Sequence, residues 1–175
     1  MAFVLSGDTG IVKSPADWKR FNQRWRDYGE YLESLRHRLP TSAFEFATAA
    51  WHYDTSDHRS LHDSWLESMT ISEPAQGERH EIRPIEIQVR LFGAYHDGHT
   101  TLRYREVIAY SLDTPAEFKL PPFGVGHGDW LRDEIRLSER GYVLHEIEFS
   151  RGSRWLNRMP KILNRSGKRY QSRRN

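Results

Sequence analysis

The 175-residue chain contains no cysteine. That excludes disulfides, thiolate metal sites and a cysteine nucleophile. No apolar run approaches the roughly 20 residues that a membrane-spanning helix needs. The opening Met1-Ala2-Phe3-Val4-Leu5 is too short for a signal peptide, and Asp8 soon follows. A soluble cytoplasmic protein is therefore the expectation. Net charge is also scarce, at +2. Aromatic side chains are plentiful, with six Trp, eight Tyr and eight Phe, in a chain that is 37% hydrophobic. That is enough apolar material for one packed core, and the length suits one domain rather than two.

The small net charge hides a split. Residues 151–175 carry nine basic side chains and no acidic one: Arg151, Arg154, Arg158, Lys161, Arg165, Lys168, Arg169, Arg173 and Arg174. The first 150 residues hold the other 17 basic residues and all 24 acidic ones, a net of −7. The reading is one domain over 1–156 followed by a basic, partly flexible tail over 157–175. Such a tail offers phosphate contacts to RNA or another polyanion. It serves equally as a solvated end, or folds back on the acidic body.

Hydrophobic spacing sets the expected elements. Trp18, Phe21, Trp25, Tyr28, Leu32, Leu35 and Leu39 recur at alternating intervals of three and four, one stripe of a helix over 15–38. Ser14 caps it, Asp17 completes a capping box, and Pro40 ends it. Ser42 and Glu45 repeat the box before a short helix within Thr41–Trp51. Strand patterns then dominate. Leu61, Trp65, Met69 and Ile71 share one side of an extended run. Ile85, Ile87, Val89 and Leu91 alternate with polar residues. Asp97-Gly98 reads as a tight hairpin turn. Leu102, Tyr104, Ile108, Tyr110 and Leu112 form a return face. Leu131, Ile135 and Leu137, then Val143, Ile147 and Phe149, flank a turn at Glu139-Arg140-Gly141. Short links between one-sided strands give an antiparallel meander. The predicted fold is α+β, with about four to six strands and the long N-terminal helix packed on one face.

Nine histidines raise the question of metal chemistry. The densest group holds His52, Asp54, His58, His62 and Asp63, all capable ligands for zinc, iron or manganese. No HExxH or comparable framework accompanies them. Turn and cap hydrogen bonds account for Asp54, Asp57, His62 and Asp63 more simply. His62-Asp63 is similar to the dyad of HD phosphohydrolases, but that dyad lies in a helical core and this stretch reads as strand. Gly124, Gly126 and Gly128 lack the GK[ST] of a P-loop, and no GxSxG elbow is present. Glu134, Glu146 and Glu148 fall on the outer face of the sheet. No catalytic residue and no cofactor follow from these patterns, and the reading leans away from an enzyme.

Three stretches together resemble an uncharacterised bacterial family of small proteins. They are Trp51-His52-Tyr53-Asp54 running to Leu61-His62-Asp63-Ser64-Trp65-Leu66-Glu67, then Leu91-Phe92-Gly93-Ala94-Tyr95-His96-Asp97-Gly98, then Gly128-Asp129-Trp130-Leu131 with His145-Glu146-Ile147-Glu148. The His-Asp pair that opens a strand is also similar to immunity protein 50 of bacterial polymorphic toxin systems. That resemblance implies an α+β protein that neutralises a toxin by direct contact. An acidic body favours a basic partner. The expected contact residues are Asp54, Asp57, His62, Asp63, Asp97 and Asp129, because loops carry recognition more often than cores do. A metal-dependent hydrolase using the 52–63 cluster and an RNA-associated protein using the tail are the alternatives.

Overall fold

The computed structural model describes residues 2–5, 14–114 and 126–160. Among them are two helices, α1 (Pro15–Ser34) and α2 (Thr41–Ala47). Seven strands follow: β1 (Trp65–Ser72), β2 (Ile85–Phe92), β3 (His99–Val107), β4 (Ala109–Asp113), β5 (Trp130–Leu137), β6 (Val143–Phe149) and β7 (Arg154–Met159). Every paired strand is antiparallel. The strands form two sheets, ordered β1-β2-β3 and β4-β7-β6-β5. The α+β class and the hairpin connections agree with the sequence reading. The strand number exceeds four to six, and one sheet has become two.

The division arises in the return strand. β3 slips against β2 between Ile85 and Ile87, and Glu106 takes a left-handed φ of 54°. This irregularity turns the chain out of the first sheet, and Ile108 N donates to the Arg158 carbonyl at 2.8 Å to enter the second. Strands commonly change sheets at such bulges. The extra residue also shifts the phase. Val107 is buried, whereas Ile108 and Tyr110, expected inside, are exposed.

β7 lies partly in the stretch read as tail. It sits between β4 and β6, and its Trp155 and Asn157 are fully buried. Lys161, Arg165, Lys168, Arg169, Arg173 and Arg174 lie outside the described residues.

The inner faces of both sheets share one core. Ile87, Val89 and Leu91 of β2 and Leu102 and Tyr104 of β3 belong to the same apolar cluster as Ile135, Ile147, Phe149 and Trp155. The Tyr104 and Trp155 rings meet edge to face at 5.2 Å across the two sheets. Burying an aliphatic side chain such as Val89, Leu91 or Ile147 contributes about 1.5–3 kcal/mol.

In α1, the Asp17 amide donates to the capping Ser14 Oγ at 3.2 Å, as the box predicts. The apolar stripe divides, however. Tyr28, Leu32 and Leu35 are buried, but Trp18 is 55% and Phe21 36% exposed. The helix is longer than the core it covers, so its first turns project. α2 starts at Thr41 with Pro40 as its cap and has no side-chain cap bond, so the expected Ser42–Glu45 box does not form.

α1 also closes a sheet edge. β5 is the last strand of its sheet, so one row of its backbone groups lacks a strand partner. Tyrosines from the helical layer fill that row. Ile135 N donates to Tyr28 Oη at 2.7 Å, and Tyr28 Oη donates to the Ile135 carbonyl at 3.3 Å. Leu137 N donates to Tyr31 Oη at 2.9 Å. Tyr53 Oη reaches the Asp133 carbonyl at 3.4 Å. Burial, reinforced by the Asp133 charge, pushes the Tyr28 hydroxyl far above the usual phenol range. Tyr53 is raised likewise, again mainly by burial. Both stay neutral donors.

Candidate functional site

Two polar constellations emerge, one sealed and one open. The sealed one centres on Asp133, which sequence reading missed. A bulge between Trp130 and Arg132 places Trp130 and Asp133 inside, and leaves Leu131 out of the inner row expected of it. Asp133 Oδ1 accepts from His52 Nε2 at 3.0 Å and from Trp130 Nε1 at 3.1 Å. Asp133 Oδ2 accepts from His145 Nε2 at 2.9 Å. Tyr104 Oη of β3 lies 2.9 Å from His145 Nδ1. His52 Nδ1 faces the Phe46 carbonyl at 2.9 Å.

Donor and acceptor chemistry matches along this chain of groups. Both nitrogens of His52 face oxygens, the Phe46 carbonyl on one side and the Asp133 carboxylate on the other, so the ring is fixed at both ends. His145 bridges the Asp133 carboxylate and the Tyr104 hydroxyl through its two ring nitrogens. Burial alone would raise the Asp133 carboxyl. The His52 charge and the bonds from both histidines outweigh it and hold that carboxyl well below the usual range.

The network ties the 48–53 loop and β3 of the first sheet to β5 and β6 of the second. Tyr104, Asp133 and His145 are 1% exposed and His52 2%. Each of the ring, carboxylate and hydroxyl groups named has its bond within the protein. The arrangement has general acid–base groups but no surface on which to meet a substrate. Its chemistry is that of a structural tie.

The open constellation lies where the chain leaves and enters the first sheet. Asp63 N donates to the Trp130 carbonyl at 2.9 Å, and Trp130 N donates to the Ser64 carbonyl at 2.8 Å. This pins the 52–64 loop to the start of β5. Trp65 Nε1 then donates to Asp129 Oδ1 at 2.7 Å. From the β2–β3 connection, His96 packs on Trp65 at 4.8 Å and on Phe92 at 4.9 Å. Tyr95 stacks on His58 with ring centres 3.9 Å apart and donates to the Thr55 carbonyl at 2.8 Å. His58 Nδ1 meets Asp97 Oδ2 at 2.5 Å. Trp65 and Tyr95 are each 47% exposed. Trp65 was expected on a packed side of its strand. It opens a sheet-edge strand instead, held outward by Asp129.

The β2–β3 connection is not the expected two-residue turn. It runs from Gly93 to Gly98, with His96 in the left-handed region at φ 57°. Gly93 N closes it on the Gly98 carbonyl at 3.0 Å. The six expected contact residues therefore distribute as follows. Asp97 and Asp129 join the aromatic patch. Asp63 pairs with His62 at 3.1 Å beside it. Asp57 pairs with Arg59 at 2.6 Å. Asp54 accepts from Ser56 Oγ at 2.6 Å and from its amide at 2.9 Å, which keeps its carboxyl below the usual range.

The alternative metal set is dispersed. His52 belongs to the sealed network, while His58, His62 and Asp54 have the separate partners just given. Among the described residues no three His, Asp or Glu side chains are grouped to share an ion. The alternative polyanion set is partly committed. Arg154 reaches Glu148 at 3.4 Å and Glu146 at 3.9 Å. Arg158 lies over the Tyr142 ring at 6.0 Å. Arg151 follows β6, and its Cγ crowds Gly128.

Glu134, Glu146 and Glu148 do occupy the outer face, but as an ion-pair ladder. Arg132 pairs with Glu148 at 2.7 Å, Arg136 with Glu134 at 3.3 Å, and Arg136 also with Glu146. Glu134 accepts from the amides of Phe3 at 2.9 Å and Val4 at 2.7 Å, fastening the N-terminal segment over the sheet. Comparison of the chain with protein-family models, curated proteins and solved structures found no match.

Proposed function

We propose that this is a non-catalytic binding protein whose recognition face is the open aromatic and acidic end just described. The observation that carries the reading is the joint placement of Trp65 and Tyr95. Both are half-exposed, and both are oriented by a side-chain hydrogen bond within a rim of carboxylates. Large aromatic side chains held rigid before contact are favoured anchors, because little side-chain entropy is lost on binding. The carboxylates around them favour a basic partner and speed its approach.

The resemblance to immunity proteins supplies a specific form of this reading. In that form the chain blocks a basic bacterial toxin by covering it. The sealed Asp133 network supports a binding role over an enzymatic one, because its carboxylate and two histidines are buried and spent on structure.

The test is neutralisation. The chain is co-expressed with basic toxin domains of polymorphic systems, and cell growth is followed. Rescue by the native chain, lost in a Trp65→Ala/Tyr95→Ala double variant that still folds, supports the reading. Rescue that survives the double variant moves the contact surface elsewhere. Failure to bind or neutralise any basic domain of the panel contradicts the immunity role.

A further inference from the structure

We propose that the open end takes the cationic side chains of an arginine- or lysine-rich protein segment, and that protonation of His58, His62, His96 and His99 releases it. The inference rests on the binding reading above and adds the partner's chemistry and a proton-driven release.

The charges come first. Among the described residues, Asp54, Asp57, Asp63, Glu67, Asp97 and Asp129 stand against Arg59, Arg90 and Arg151, which lies beside Gly128, a net of −3 when histidine is neutral. Such a surface repels nucleic acid and anionic lipid. The carboxylates are spread singly rather than gathered, and no three form an ion cage among the described residues. Separate carboxylates beside exposed aromatic rings suit several cationic side chains along a segment, each gaining an ion pair or a cation–π contact.

Four of the nine histidines stand at this same end. Three of them already touch the carboxylates a cation would need. His58 meets Asp97 at 2.5 Å, His62 meets Asp63 at 3.1 Å, and His99 meets Glu67 at 3.1 Å. Glu67 also accepts from Arg90 at 2.7 Å. The fourth, His96, packs on both Trp65 and Phe92, and the same Trp65 indole donates to Asp129. Arg59, paired to Asp57, is next to His58 in sequence.

Histidine is the side chain whose charge changes between pH 5 and 8. Protonation of all four takes the surface from −3 to +1. It also turns each His–carboxylate contact into an internal ion pair that competes with the incoming cation. Loss of field slows encounter, and competition for the carboxylate weakens the complex.

The experiment uses the full chain and a fluorescent octa-arginine peptide, whose charge does not change over this pH range. Binding is measured at low salt at about pH 8 and about pH 5.5. Affinity is expected to fall by at least about tenfold at the lower pH, with the far-UV spectrum unchanged. A His58→Gln/His62→Gln/His96→Gln/His99→Gln variant is expected to bind with nearly the same affinity at both. The milder His58→Gln/His99→Gln pair is expected to lose part of the pH response. Trp65→Ala/Tyr95→Ala, which leaves net charge untouched, is expected to weaken binding at pH 8.

Equal affinity of the native chain at the two pH values overturns the release mechanism and leaves the binding face standing. An unreduced pH response in the histidine variants overturns their role. Absence of binding at pH 8, or binding indifferent to the aromatic variant, overturns the choice of this face itself.

Discussion

Replacing Asp133 by alanine removes the acceptor of three buried donors at once: His52 Nε2, His145 Nε2 and Trp130 Nε1. Breaking a buried ion pair by deleting one partner costs about 3–5 kcal/mol. The Trp130 indole N–H in particular is left buried without its acceptor. A loss of about 4 kcal/mol is therefore expected, which lowers Tm by about 8–16 °C for a chain of this size. Urea unfolding followed by tryptophan fluorescence reads the change, since Trp130 and Trp155 are both buried.

Asp133→Asn keeps the shape but offers one accepting oxygen in place of two, so a smaller loss is expected. The pH dependence has a definite sign. The folded carboxyl sits below its ordinary value. Its contribution is thus complete above the unfolded value of about 3.9 and is lost gradually as pH falls from there toward the depressed folded value. The stability gap between native and Asp133→Asn proteins should stay constant above about pH 4 and narrow progressively below it, closing only as pH approaches the depressed folded value. A loss under about 1 kcal/mol for Asp133→Ala, with an unchanged urea slope, would refute the view of Asp133 as the hub between the two sheets.

Tyr28→Phe should cost about 1–3 kcal/mol by orphaning two backbone groups of Ile135. Hydrogen exchange at the Ile135 amide should accelerate with it. Glu134→Gln should loosen the N-terminal segment, read as faster amide exchange at Phe3 and Val4 with little change in Tm. Gly128→Ala should lower Tm by several degrees, because φ there is 83° and an added Cβ meets Ser150 Oγ and Arg151 Cγ. Trp65→Ala should leave thermal stability within about 1 kcal/mol of native while weakening capture of a basic partner.

Much of the fold was legible because one-sided patterns set the elements. Ile85 to Leu91 and the Glu139-Arg140-Gly141 turn lie where spacing placed them. The Gly141 φ of 79° is the left-handed turn position that glycine suits. Three of the misses share a cause. Trp65, Ile108 and Leu131 each stand at or beside an irregularity that shifts the alternation, and spacing alone does not reveal a bulge. Trp18 and Phe21 continue a stripe whose covering surface ends before they do. Asp54 to Asp63, Asp97 and Asp129 were recognisable as polar loop residues, but their meeting depends on contacts far apart in sequence. The sealed network did leave a trace. Asp133 and His145 occupy the inner phase of strands whose other inward residues are apolar. Two polar residues in that phase, with His52 nearby, signal a buried network rather than a surface.

The most direct test of the account maps backbone amide shifts on adding an arginine-rich peptide to the full chain at about pH 8. The account predicts changes confined to residues 54–67, 92–99 and 126–130. Changes centred instead on the Glu134, Glu146 and Glu148 face, on α1, or on β7 would contradict it.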